Sequence, residues 1–161
     1  MGFIKLDFLV AAPAYHVWGF GLQADKIPEW QFDVMAVTGM SGPIDHKGTK
    51  YTLVYKKAGM LLTSPVEVSR FEPENLTIET TGRTPLGGYF KSCTTMRAVN
   101  EQTTHVDWVM DYKLPGWIFG VLMDRFLFEW AFRRTVQKYN KKFKMLAEKT
   151  FSQNDESSVS N

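Results

Sequence analysis

Between Val34 and Leu114 the sequence runs in short stretches that alternate apolar and polar residues, and every stretch is closed by a turn of only a few residues. Parallel strands need crossovers of a dozen or more residues, so connections this short require antiparallel hairpins in series. Strands are expected over Val34–Met40, Thr49–Lys57, Met60–Phe71, Leu76–Arg83, Tyr89–Val99 and Thr103–Leu114. The punctuation is Ser41-Gly42-Pro43, Ala58-Gly59, Pro73-Glu74-Asn75, Pro85 to Gly88 and Asn100 to Gln102. Another strand, Phe3 to Val10, precedes them. Pro13 then opens a short apolar helix over Ala14 to Leu22, and Asp25 to Trp30 reads as a second helical turn.

The pattern changes once, after the last strand. From Pro115 to Lys149 the apolar residues recur at helical spacing, and Phe132, Val136, Tyr139, Phe143 and Leu146 form one stripe. Projected backward along a straight helix, that stripe passes Ile118, Val121, Leu122, Arg125 and Glu129. Arg125 and Glu129 are four residues apart and can pair; as an alternative, Arg125 anchors a carboxylate, phenolate or enolate of a ligand. A bend in the helix would turn both to water instead. The opposite stripe, Phe119, Met123, Leu127 and Trp130, must also be covered, by neighbouring loops, by a second copy of the chain, or by transient contact with a membrane. Residues 1–150 are expected as one domain of α+β class, a seven-stranded curved antiparallel sheet around the long C-terminal helix, followed by a disordered, Ser-, Asn- and acid-rich tail over 151–161.

Alternation assigns the faces of the strands. Val106, Trp108, Met110, Tyr112 and Leu114 share one side of the last strand, opposite His105, Asp107, Asp111 and Lys113. Phe90, Ser92, Thr94, Met96 and Ala98 oppose Lys91 and Arg97 in the same way, and Leu76, Ile78 and Thr80 oppose Glu79. Hydroxyls such as Thr80, Ser92 and Thr94 on an inward face need partners, which either nearby backbone or the contents of a hollow can supply. The expected pocket is therefore lined by Tyr51, Tyr55, Thr80, Phe90, Ser92, Thr94, Met96, Trp108, Met110 and Tyr112, with Leu122, Arg125 and Glu129 from the helix.

Several landmarks resemble a known family. They are Ala11-Ala12-Pro13-Ala14 with Val17 and Trp18, Ile27-Pro28-Glu29-Trp30, Ser41-Gly42-Pro43 with Gly48-Thr49, and Val66-Glu67-Val68 with Pro73. Thr104 to Trp108, Tyr112 to Gly116 and Leu146-Ala147-Glu148 complete the series, over residues 3 to 149. In order and spacing the chain resembles the START-like (SRPBCC) superfamily, in particular its polyketide cyclase/dehydrase branch. The resemblance implies a helix-grip fold with a hydrophobic cavity between sheet and helix, used by different members for sterols, lipids, quinones, plant hormones or polyketides. It therefore implies binding of a hydrophobic small molecule, for sequestration or transport. The alternative is an aromatase/cyclase-type enzyme that folds a poly-β-ketone chain and promotes enolisation and dehydration.

Other chemistries find little in the sequence. His16, His46 and His105 fall on a helix, a loop and an outer strand face, a spacing that assembles no metal site, and a lone Cys93 makes neither a disulfide nor a nucleophile motif. Gly87-Gly88 is a turn and leads into no helix, so no phosphate cradle and no cofactor are expected. Asp107 and Asp111 fall on the wet face. Arg133 to Lys149 holds seven basic residues against Glu148, a net +6 that leaves −4 elsewhere in a chain of total +2. This basic stretch lacks the exposed aromatics of a nucleic-acid interface, so no nucleic acid is expected. Lys5 and Asp7 interrupt the opening residues, unlike a signal peptide, and no apolar run reaches the roughly 18–20 residues of a membrane span, which together suggest the cytoplasm.

Overall fold

The structure is a computed structural model; it describes residues 2–57, 59–84, 87–113 and 125–159, with the backbone alone at 57, 125–128 and 155–159. Its strands are β1 (Gly2–Val10), β2 (Val34–Thr38), β3 (Lys50–Lys57), β4 (Met60–Glu72), β5 (Thr77–Arg83), β6 (Tyr89–Asn100) and β7 (Thr103–Lys113). Between β1 and β2 come α1 (Ala14–Gly21), a 3₁₀ turn (Ala24–Lys26) and α2 (Ile27–Trp30), and the chain ends in α3 (Arg125–Val159).

All neighbouring strands are antiparallel, in the order β1-β7-β6-β5-β4-β3-β2. The hairpins place β2 to β7 side by side, and β1 adds to β7 by pairing Ile4 with Met110 and Phe8 with Val106. β1 and β2 are therefore opposite edges of the sheet, and α1 and α2 carry the chain between them. Here α1 packs on β6, β7 and α3, while α2 packs on β2 and α3.

The register aligns the inward residues in rows across the sheet. One row runs Tyr51, Val66, Gly82, Phe90, Tyr112; the next runs Val68, Thr80, Ser92, Met110, Ile4. A third is Phe71, Ile78, Thr94, Trp108, Leu6, and a fourth Met96, Val106, Phe8. Phe71 reaches the third row because a bulge between Val68 and Arg70 adds a residue and reverses the alternation of β4. Gly82 leaves room for its neighbour's ring, since a Cβ there would lie 2.7 Å from Phe90 Cζ and 2.5 Å from the Pro65 carbonyl.

α3 lies over this face and is fastened at its C-terminal half to the end of β1. The Ala11 amide donates to Glu148 Oε1 (2.7 Å), and Lys144 Nζ donates both to Glu148 Oε1 (2.6 Å) and to the Leu9 carbonyl (2.6 Å). His16 Nε2 lies 3.0 Å from the Ala147 carbonyl. The helix does not stop near residue 149. The stretch from 151, expected to be a disordered tail, continues α3 to Val159. Phe151 packs edge-on against His16 (5.3 Å between centroids), and the Thr150 and Ser152 hydroxyls donate to the carbonyls of Leu146 (3.0 Å) and Glu148 (3.1 Å). One half-buried aromatic anchor thus extends a helix into a sequence whose composition favours disorder.

Partial burial pushes the Glu148 carboxyl up, but the Ala11 amide and the Lys144 ammonium outweigh it and hold the group below its ordinary value. A depressed carboxyl stabilises the fold above the unfolded pKa, and that contribution disappears as pH falls through the folded pKa. Glu148→Gln should therefore lower stability at pH 7 by about 1 kcal/mol. In urea titrations the gap from the wild type should hold down to the ordinary value of 4.5 and close below it.

Candidate functional site

Where α3 crosses the sheet the two do not meet completely, and a cavity of about 120 Å³ lies between them. Its helix wall is Val136, Tyr139, Asn140 and Phe143, residues spaced at 0, 3, 4 and 7 along one face of α3. The sheet contributes Phe8, Ile78, Thr94, Met96, Val106 and Trp108, all from the third and fourth rows or beside them. α1, α2 and the residues that follow each close the remaining side with Trp18, Gly21, Leu22, Trp30 and Gln31. Phe143 makes edge-to-face contacts with Phe20 (5.3 Å), Trp30 (5.4 Å) and Phe8 (6.4 Å), which brings α1, α2 and β1 against one ring of α3.

Polar groups are few in this wall. The Tyr139 hydroxyl donates to Asp33 Oδ1, and Phe32 covers the Tyr139 ring (5.0 Å). Burial, that hydrogen bond and the Asp33 charge push the Tyr139 phenol far above the ordinary tyrosine range. Burial, then Asp33 and Tyr51, raise Tyr55, and burial alone raises Tyr51. These phenols stay protonated, and Tyr139 donates its proton to Asp33. Two other buried donors, Trp30 Nε1 and Asn140 Nδ2, meet no acceptor among the described residues.

The expected lining divides in two. Thr94, Met96 and Trp108 border the cavity. Tyr51, Phe90 and Tyr112 are buried with Ile4, Val66 and Val68 in a neighbouring part of the core, with Tyr55 and Met110 packed against it. Thr80 and Ser92 are half-buried partners in the row between these groups. From α3, Phe132 meets Tyr112 edge-on (5.2 Å), and Glu129 is half-buried. Leu122 and the Arg125 side chain lie outside the described residues, as do Phe119, Met123 and the side chain of Leu127. Trp130 is 53% exposed, with the Arg134 guanidinium 4.1 Å from its ring centre. Trp30 and Asn140 were missed as site residues by sequence reasoning; the available signal was an amide at position 140 interrupting the apolar stripe between Val136 and Phe143.

Among the described residues no three His, Cys, Asp or Glu side chains gather as a metal site, and no helix is long and apolar enough to cross a membrane. No family model matches the sequence, and neither does any curated protein. Solved structures do match. A START superfamily protein from Mycobacterium smegmatis superposes with a TM-score of 0.73 at 12% identity, over 92% of this chain and 98% of its own. The fold is the START-like helix grip. An aromatase/cyclase from Streptomyces sp. R1128 shares it at TM-score 0.74 and 16% identity, over 91% of this chain and 93% of its own. A major latex-like protein from Panax ginseng does so at TM-score 0.65 and 12% identity, over 91% and 97%. In all three comparisons the alignment takes in more than nine tenths of both chains.

Tyr139→Phe keeps the ring packed under Phe32 and removes only the donor to Asp33. It should cost about 1–3 kcal/mol in a urea titration, the price of an unmade bond to a carboxylate. An unchanged midpoint would show that the bond contributes nothing to stability.

Proposed function

We propose that residues 1–150 form a ligand-binding domain that sequesters or carries a hydrophobic small molecule, such as a lipid, quinone or polyketide, between the sheet and α3. The observation that supports this is the aromatic-walled cavity, with a few isolated polar groups among large apolar side chains. Thr94, Met96 and Trp108 contact the ligand. In this reading Tyr51, Tyr55, Thr80, Phe90, Ser92, Met110 and Tyr112 extend the site along the same inward rows, toward Leu122, Arg125 and Glu129 on the helix side.

The aromatase/cyclase alternative has less support in the wall itself. An acid or base should converge on the substrate, and the Tyr139 proton is instead held by Asp33 and kept on the phenol by burial. The protein is read as cytoplasmic. Trp130, exposed on α3, supports a contact surface shared with Phe119, Met123 and Leu127, for a second copy of the chain or transiently for a membrane.

Native mass spectrometry of freshly purified protein tests the binding reading. A bound apolar molecule is expected on the wild type and absent from Gly21→Leu. Gly21 borders the cavity, and a Cβ there would meet only ordinary contacts, at 3.5 Å from Met96 Cε and 3.6 Å from Phe143 Cζ. A melting temperature close to that of the wild type would show that the variant folds, so that loss of the ligand reads as a filled cavity. A wild type that purifies without ligand and ignores lipid, sterol and polyketide-like panels would sink the proposal.

A further inference from the structure

The two edges of the sheet differ in how they are protected. β2 is five residues long and carries a bulge between Val34 and Ala36, and both features blunt an edge against further pairing. β1 is nine residues long, contains no proline, and pairs with β7 from Gly2 to Val10 without a register shift. Its outer edge meets no strand among the described residues. The Leu9 carbonyl and the Ala11 amide point away from β7, where Lys144 and Glu148 of α3 take them. Alternation along an antiparallel strand turns the amides and carbonyls of Phe3, Lys5 and Asp7 the same way. The side chains of Phe3, Lys5, Asp7 and Leu9 are all exposed on the outer face of the sheet, Phe3 at 58% and Leu9 at 51%. In order they read apolar, positive, negative, apolar. Among the described residues Lys5 has no ion-pair partner, and Asp7 meets His105 alone, at 3.4 Å.

That order is self-complementary. Two antiparallel copies of β1, related by a two-fold axis at Leu6, set Phe3 against Leu9 and Lys5 against Asp7 on both sides of the axis. Slipping the pairing by one step of the ladder in one direction sets Lys5 against Lys5 and Phe3 against Asp7. Slipping it in the other sets Asp7 against Asp7 and Lys5 against Leu9. Of these three registers only the first matches charge with opposite charge and apolar with apolar. It also joins the backbone groups that face outward. Lys5 and Asp7 exchange both N–H···O bonds across the axis, and the Leu9 amide donates to the Phe3 carbonyl of the second copy, so that Leu9 keeps its carbonyl bond to Lys144.

We propose that β1 is a homodimerisation edge, at which a second copy of this chain continues the sheet in the register centred on Leu6. The surface is separate from the one around Trp130 on α3. It is one strand wide, at the small end of specific interfaces, so the dimer dissociates on dilution.

Sedimentation velocity of the whole chain, over a series from low to high micromolar concentration, tests the proposal. The wild type should pass from monomer to dimer along the series. Lys5→Asp and Asp7→Lys each set like charges opposite one another on both sides of the axis, and each should weaken the dimer about tenfold or more. An equimolar mixture of the two variants restores opposite charges at every pair and should dimerise again, as should the double variant Lys5→Asp/Asp7→Lys. This recovery separates lost pairing from lost folding. Trp130→Ala should leave the dimer intact. A wild type that stays monomeric throughout would overturn the proposal, and so would a mixture that stays monomeric. A dimer that both charge reversals spare would overturn it too, and its loss in Trp130→Ala would move the contact to α3.

Discussion

Phe143 is the point at which the layers of this protein meet. Its ring contacts Phe8 of β1, Phe20 of α1 and Trp30 of α2, so one side chain fixes the long helix against an edge strand and both crossover helices. Edge-to-face packing leaves ring faces uncovered, and it holds the neighbouring walls apart as much as together. The cavity follows from that geometry. Asn140 and Val136, about one and two turns before Phe143, face a sheet surface that aromatic rings keep at a distance.

The fastening at the other end is polar. Glu148 and Lys144 tie α3 to the last residues of β1, and His16 ties it to α1. Both bonds use backbone groups, the Leu9 carbonyl in β1 and the Ala11 amide just after it, and so they fix the helix along the strand without depending on neighbouring side chains. With the C-terminal half of α3 held there, the position of Val136, Tyr139 and Asn140 over the sheet is set by helix geometry alone. Asp33 then receives the Tyr139 hydroxyl from the β2 side, and α3 is gripped from both edges of the sheet.

Most of the fold was legible because its rules are local. Two-residue alternation, short turns and one change of period account for the strand order from β2 to β7 and for the inward rows through Phe90, Thr94, Trp108 and Tyr112. The bulge in β4 was not legible: Ser69 has no marker that distinguishes it from an ordinary strand residue, yet it moves Phe71 to the inner face. The site was only partly legible. Thr94, Met96 and Trp108 follow from alternation, but Trp30 and Asn140 come from separate helices, and nothing local says that they share a wall. The helical continuation past Phe151 was hidden for a similar reason, since its anchor, His16, lies far away in sequence.

The sequence by itself determined the antiparallel meander, the single long helix and the inward faces of β5, β6 and β7, because periodicity and turn length act over a few residues. Only the tertiary structure decided where helix and sheet fail to close, which side chains border the gap, and which donors are left without acceptors. Those outcomes depend on the shapes and distances of residues brought together from all parts of the chain, and a spacing pattern along the sequence carries no information about them.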